Sequence, residues 1–204
     1  MSATGSGSGD ERTDPAPMHP PVQARIRVRE EGDLPACIEL FRTSHRVAGY
    51  PRFLPHDLPR FVAGTGRLQA WVATWAEGDE DDADGERIVG QVVLHRTSSA
   101  PVMALATAST GLAEDRLAVV ARLLVDRQVQ RRGIGSLLLT AATAHAHALG
   151  RHPILDVLTD RPDASGLYLA HGWRPVGEVR VDVGFPDLLQ ELVFIGPPPP
   201  SEIS

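Results

Sequence analysis

Residues Gln130 to Gly135 read Gln-Arg-Arg-Gly-Ile-Gly and stand between an apolar strand-like run, Leu117 to Val125, and an apolar helix-like run, Ser136 to Leu149. A glycine-rich, doubly basic turn that opens a helix points several backbone N–H groups into one concavity. The positive end of the helix dipole adds to the pull on an anion. The guest this chemistry suits is a phosphate or pyrophosphate. Two other phosphate-binding designs fit less well. A Rossmann Gly-x-Gly-x-x-Gly would place its third glycine at Leu138, and seven residues separate Val125 from Gly133 where a Rossmann turn begins almost at once. Asp156, about the right distance downstream for a ribose-binding acid, is the one point in its favour. A Walker loop is excluded, because no Gly-x-x-x-x-Gly-Lys-Ser/Thr occurs and the chain has no lysine.

Such a turn needs a strand leading in and a helix leading out. Met1 to about Val22 is rich in Ser, Gly and Pro with no apolar period and is expected to be a disordered tail, as is Pro197 to Ser204. Ala24 to Arg29 alternates arginine with Ile26 and Val28, as a half-buried strand does. Asp33 as N-cap and Pro35 in the first turn open a helix to Arg42. After the proline-broken Tyr50 to Pro59, a short helix ends at Gly64. Leu68 to Trp75 and Arg87 to His95 read as antiparallel strands joined by an acidic loop. Ser98 to Glu114, rich in Ala, Thr and Ser, yields no readable element. Leu117 to Val125 and Pro153 to Thr159 are apolar strands on either side of the Ser136 to Leu149 helix, so a right-handed crossover sets them side by side and parallel. Asp163 caps a helix, Ala164 to Ala170, closed by Gly172. Trp173 to Val183 and Leu188 to Ile195 form a hairpin.

Gln130, Gly133 and Gly135 match the signature Gln/Arg-x-x-Gly-x-Gly/Ala. With this element order from about Ala24 to Ile195, the chain resembles the GCN5-related N-acetyltransferases (GNAT). The resemblance implies an α/β fold over residues 23–196: a mixed, mostly antiparallel sheet flanked by helices, with a parallel strand-helix-strand unit at the cofactor loop. It implies acetyl-CoA as cosubstrate, its pyrophosphate cradled by Gln130, Arg131, Arg132, Gly133, Ile134, Gly135 and Ser136. The thioester and pantetheine arm would lie along Leu123, Leu124 and Val125, where the family's fourth strand splays from its fifth. Leu167-Tyr168-Leu-Ala-His-Gly-Trp173 is similar to the family's Leu-Tyr-x-x-x-Gly-Phe and implies Tyr168 as the acid for the departing thiolate. A phenol suits that role, being neutral at pH 7 with a pKa of about 10. The same tyrosine also fits a core position on a short amphipathic helix with Ala164 and Leu167. The asparagine common seven residues before it is Arg161 here. The family's fourth-strand glutamate has no counterpart in Leu117 to Val125, which leaves Glu114, Asp115 and His95 as candidate bases.

Composition bounds the rest. A net charge of −6 over 204 residues argues against nucleic acid as a partner, since phosphate-backbone binding needs a basic face. No run approaches the roughly 20 apolar residues that cross a bilayer, and the N-terminus lacks a basic-then-apolar secretion signal, so no membrane and a cytoplasmic location are expected. The single cysteine, Cys37, rules out a disulfide framework and a cysteine metal cluster. His145 shares an apolar stripe with Ile134, Leu138 and Ala141 and reads as a core residue, and it faces away from His147, so no metal pair arises. The acidic stretch Glu77 to Glu86 reads as a solvated loop or, alternatively, as a lure for a cationic amine. The expected reaction is direct acetyl transfer to a primary amine of a small molecule or protein, because Cys37 lies far from the cofactor segment. The alternative is a non-catalytic acyl-CoA sensor or interaction module with the same fold. A homodimer is left open.

Overall fold

The computed structural model describes residues 24–76, 86–159, 162–182 and 188–200. The expected N-terminal tail, the acidic loop up to residue 85, Arg161 and residues 201–204 lie outside the described residues. Strands β1 (Ala24–Val28), β2 (Arg67–Ala76), β3 (Glu86–His95), β4 (Leu117–Val125), β5 (His152–Leu158), β6 (Arg174–Val181) and β7 (Leu189–Ile195) form one sheet in the order β1-β2-β3-β4-β5-β7-β6. Every neighbouring pair is antiparallel except β4 and β5, which are parallel. Helices α1 (Leu34–Ala48), α2 (Leu58–Ala63), α3 (Ala100–Thr110), α4 (Ile134–Ala148) and α5 (Pro162–Ala170) cover the sheet.

Strand alternation divides the core between the two faces. Trp71, Ala73, Ala118, Val120, Leu155 and Phe194 point to the α4 side, where they pack with Leu138, Leu139, Ala142, Tyr168 and Trp173. Their sequence neighbours point the other way. Val72 and Leu124 meet Cys37, Phe41 and Val62 of α1 and α2, while Val119, Ile154 and Val193 meet Val102, Met103 and Ala106 of α3. Gly90 is bare because a Cβ there would lie 3.0 Å from the Leu124 carbonyl and 3.1 Å from Leu138 Cδ1, so α4 can seat closely on β3 and β4.

Four expectations need correction. Helix α1 continues past Arg42 to Ala48, where Gly49, at φ 62°, supplies the left-handed stop. Asp33 occupies the N-cap position of α1, but its carboxylate does not cap the helix. It accepts two 2.7 Å hydrogen bonds from Arg27 and one from the Glu30 N–H, a charge-assisted pairing that outcompetes a neutral cap. The unread stretch holds α3, with Ser99 as N-cap, Pro101 in the first turn and Gly111 at φ 70° after its end. Its Ala- and Thr-rich faces differ little in polarity, so a periodicity reading passes over it. Finally, α5 opens at Pro162, which puts Asp163 inside the first turn and not at the cap.

Candidate active site

Beyond Val125 the chain turns through a short 3₁₀ segment, and Gln130 Nε2 donates back to the Val125 carbonyl at 3.1 Å. Arg131 at φ 61° and Gly133 at φ 82° are both left-handed, a conformation glycine adopts freely and arginine does not. The first α4 bond that follows runs from the Leu137 N–H to the Gly133 carbonyl, 3.1 Å. The N–H groups of Ile134, Gly135 and Ser136 therefore have no helical acceptor, and no side chain among the described residues caps them. They open into a cleft of about 1760 Å³ that Arg131 also lines. Gly135 packs there against α5 and β4, where a Cβ would make ordinary contacts of 3.4 Å with Leu167 Cδ2 and 3.9 Å with Val125 Cγ2. Arg132 does not line the cleft; its guanidinium sits 5.2 Å over the Trp75 ring.

The cleft continues between two strands. β4 and β5 pair only from Leu117↔His152 to Val119↔Ile154. Past that point β4 stays with β3 as far as Gly90↔Val125, while β5 stays with β7 as far as Leu158↔Glu191, so the sheet opens into a V. Two residues of β4, Arg122 and Leu123, fit between the pairs Gln91↔Leu124 and Val93↔Ala121, where β3 has one. This is a β-bulge, and Arg122 takes it up at φ 54°. The extra residue shifts the alternation by one, so Leu123 and Val125 join the α4-side core and Leu124 joins the α1–α2 core. All three border the open edge of β4.

Titratable side chains meet at the V. Tyr168 of α5 is buried between Trp173 and Phe194, with ring centroids 6.1 and 5.6 Å away, and it lines the cleft. Burial, reinforced by the nearby Tyr50 and Asp156, pushes its hydroxyl well above the ordinary phenol value, so it keeps its proton throughout the physiological range. Asp156 of β5 and Glu191 of β7 lie on one face of the sheet, two residues apart in the β5–β7 register. Ser98 Oγ donates to Asp156 Oδ1 at 3.0 Å. Burial raises the Asp156 pKa against that hydrogen bond and the Arg122 charge. Glu191 is pushed up to about 7, first by burial and then by the Asp156 charge.

On the β4 wall, Arg122 lies 4.3 Å over the Phe61 ring, and its Nη1 donates to His95 Nε2. Arginine can only donate, so His95 carries its proton on Nδ1. Burial and the adjacent guanidinium hold the His95 pKa down at about 4, and the imidazole is neutral at pH 7. Gly64, which ends α2 at φ 77°, has no side chain because a Cβ would stand 3.0 Å from His95 Cε1.

The structure thus brings Leu123, Leu124, Val125, Gln130, Arg131, Gly133, Ile134, Gly135, Ser136, Tyr168 and His95 to one cleft. It leaves Glu114 and Asp115 exposed on a 3₁₀ turn before the far end of β4, away from the V. Cys37 is buried between α1 and α2, its thiol pushed up to about 11 by burial. His145 packs edge-on to Trp71, 5.2 Å between ring centroids, and no group of three metal-binding side chains exists among the described residues. Sequence reasoning passed over Arg122 and Glu191, and weighed Asp156 only as a ribose ligand. Each is a lone charge in an apolar strand, an anomaly that signals a partner or a function.

An opened mixed sheet with an anion-ready helix N-terminus at its opening defines a class of protein that binds a phosphate-bearing cofactor and works on a group held in the V. The acetyltransferase (GNAT) domain family matches residues 69–175, more than half of the chain, and the protein belongs to that family. A search of curated proteins finds no match to this sequence. Among solved structures, the chain is similar to NAA60 of Arabidopsis thaliana in complex with acetyl-CoA, with a TM-score of 0.62, 17% identity, and coverage of 84% of this chain and 98% of that one. It is similar to a GCN5-related N-acetyltransferase from Kribbella flavida, with a TM-score of 0.59, 19% identity, and coverage of 86% and 98%. It is also similar to yncA of Salmonella typhimurium, solved with its cofactor acetyl-CoA, with a TM-score of 0.59, 16% identity, and coverage of 84% and 92%. Two of these three structures hold acetyl-CoA. The residues present fit it: free N–H groups at the α4 N-terminus suit a pyrophosphate, and the same cleft runs on along Leu123, Leu124 and Val125 of β4. No helix among the described residues is long and apolar enough to cross a membrane.

Proposed function

We propose that the protein is an N-acetyltransferase that passes the acetyl group of acetyl-CoA directly to a primary amine. The observation that carries this reading is the single cleft joining the α4 N-terminus, through the β4–β5 opening, to Tyr168 and the Asp156–Glu191 pair. Acetyl-CoA supplies the acyl group as a thioester, held by the N–H groups of residues 134–136 and by Arg131. The edge of β4 beyond Val119 lacks a β5 partner, so its backbone can donate to a carbonyl oxygen laid along it.

An amine reaches the site as an ammonium and must lose a proton before it can attack. Glu191, poised at about 7, accepts that proton at neutral pH, where a carboxylate of ordinary pKa would be too weak a base. Asp156, fixed by Ser98, holds the ammonium and keeps Glu191 basic. Tyr168 keeps its proton and offers it as a hydrogen bond to a departing sulfur. Its raised pKa makes stabilisation of the thiolate its role, ahead of complete proton transfer. Cys37 supplies no covalent relay, because its thiol is buried outside the cleft and stays protonated.

Free-thiol release from acetyl-CoA, measured across a panel of primary amines, tests the reading. Amine-dependent release is expected. Binding of acetyl-CoA without release for any amine would replace it with an acyl-CoA-binding module.

A further inference from the structure

The walls of the V carry opposite charge. On one stand Asp156 and Glu191; on the other stands Arg122, within electrostatic reach of Arg29. The two arginines differ in how their charge is met. Arg29 is committed to the fold, donating to the Val62 carbonyl at 2.8 Å, the Ala63 carbonyl at 2.6 Å and Gln91 Oε1 at 3.1 Å. Arg122 is not. Among the described residues its one side-chain hydrogen bond goes to a neutral imidazole, its Nε is buried with no partner, and no carboxylate lies within ion-pair range, so that the Asp156 charge acts on it only at a distance. A guanidinium taken out of water without a direct ion pair is costly, and a non-glycine residue at positive φ adds backbone strain. Phe61 and His95 fix the orientation of this cation without neutralising it. An anion arriving in the cleft would do so, and Arg suits a carboxylate because its planar fork can bind two oxygens.

We propose that the acceptor is a small amine that also carries a carboxylate, an amino acid or close analogue, with its carboxylate on Arg122 and its ammonium facing Asp156 and Glu191. This rests on the acetyl-transfer reading and narrows it. Polyamines and other dications would satisfy the acidic wall but meet Arg122 with like charge, so the same side chain that selects the carboxylate rejects them. The N-terminal amines of proteins and the side chains of their lysines bring no carboxylate of their own to the opposite wall.

The test compares the L-amino acids with their α-amides and with diamines, on the full chain, by two readouts. One is thiol release from acetyl-CoA. The other is calorimetric binding to the protein saturated with coenzyme A, which cannot react. At least one amino acid should exceed its amide by about 100-fold in kcat/KM, the usual effect of leaving a buried charge unpaired. Arg122→Gln should collapse that ratio toward one by raising KM for the acid, and Arg122→Lys should restore only part of it. The wild-type acid-to-amide ratio stands even if the variants fold poorly. Carboxylate-dependent binding that needs Arg122, without turnover, would uphold the acceptor site and sink the transferase reading. Amides, diamines or peptides used as well as free amino acids would overturn the inference while leaving acetyl transfer intact. Absence of any binding preference for the acid would overturn it as well.

Discussion

Replacing Glu191 with Gln removes the proton acceptor while keeping its shape, and both kinetics and stability should respond. With Glu191 titrating at about 7, roughly a tenth of the enzyme is in the basic form at about pH 6 and roughly nine tenths at about pH 8. For an amine whose own pKa lies well above 8, log kcat/KM should rise with unit slope to about pH 7 and then level off. In Glu191→Gln the break should vanish and the plateau should fall by about 10²-fold, the common worth of a positioned base. Stability moves the other way. The folded pKa lies above the unfolded one, so the contribution of Glu191 is fully present below the unfolded carboxyl pKa and is lost as pH rises through about 7. At pH 8 the variant should therefore be more stable than the wild type, by about 1–2 kcal/mol once solvent screening of this partly exposed side chain is allowed for, and equal to it near pH 4. Urea melts at the two pH values and initial rates across the range measure both effects. Because Asp156 contributes to the shift, Asp156→Asn should move the kinetic break to lower pH. A wild-type profile that runs straight through pH 7, or a Glu191→Gln enzyme at full rate, would refute the assignment.

Other residues make separate predictions. Tyr168→Phe keeps the ring between Trp173 and Phe194, so it should retain the melting shift induced by acetyl-CoA yet slow transfer by about 10²-fold, less for acyl donors with a more acidic thiol. An unchanged rate would reduce Tyr168 to a packing residue. Gly133→Val should abolish the melting shift, since a β-branched residue at φ 82° distorts the turn that aims the N–H groups. Arg131→Ala should weaken cofactor binding more at low salt than at high salt, and more than Arg132→Ala, whose side chain rests on Trp75. Equal losses would place both arginines on the pyrophosphate. His95 is held neutral down to about 4, so its contribution to stability is present above the ordinary histidine pKa and is lost as pH falls from about 6.5 to about 4. His95→Gln should flatten acid unfolding over that window, and an unaltered curve would count against a buried neutral imidazole.

The turn that forms the candidate cofactor half of the site was legible because it is local. Gln130 to Gly135 lie consecutively between a strand and a helix that announce themselves by apolar runs, and the parallel pairing of β4 with β5 follows from the length of the crossover. The proposed acceptor half is not local. Asp156 and Glu191 meet only because β7 inserts between β5 and β6, and Arg122 faces them only because a bulge turns it out of the β4 alternation. Neither the bulge nor the point where β4 and β5 part leaves a mark in the residue types of Leu117 to Val125, which read as an unbroken strand. Helix α3 was missed for a related reason: Ser99, Pro101 and Gly111 mark its ends, but its small residues hide the buried face formed by Val102, Met103 and Ala106.

The destination of the acetyl group tests the central claim most directly. Full-length protein at excess over isotope-labelled acetyl-CoA is mixed with an amino acid acceptor at about pH 8, quenched in acid within one turnover, and read by mass spectrometry of both the small molecules and the intact chain. Direct transfer at the β4–β5 opening predicts label on the amine nitrogen and none on the protein at any time. Label retained by the protein, or returned intact as acetyl-CoA with every amine tried, would contradict it.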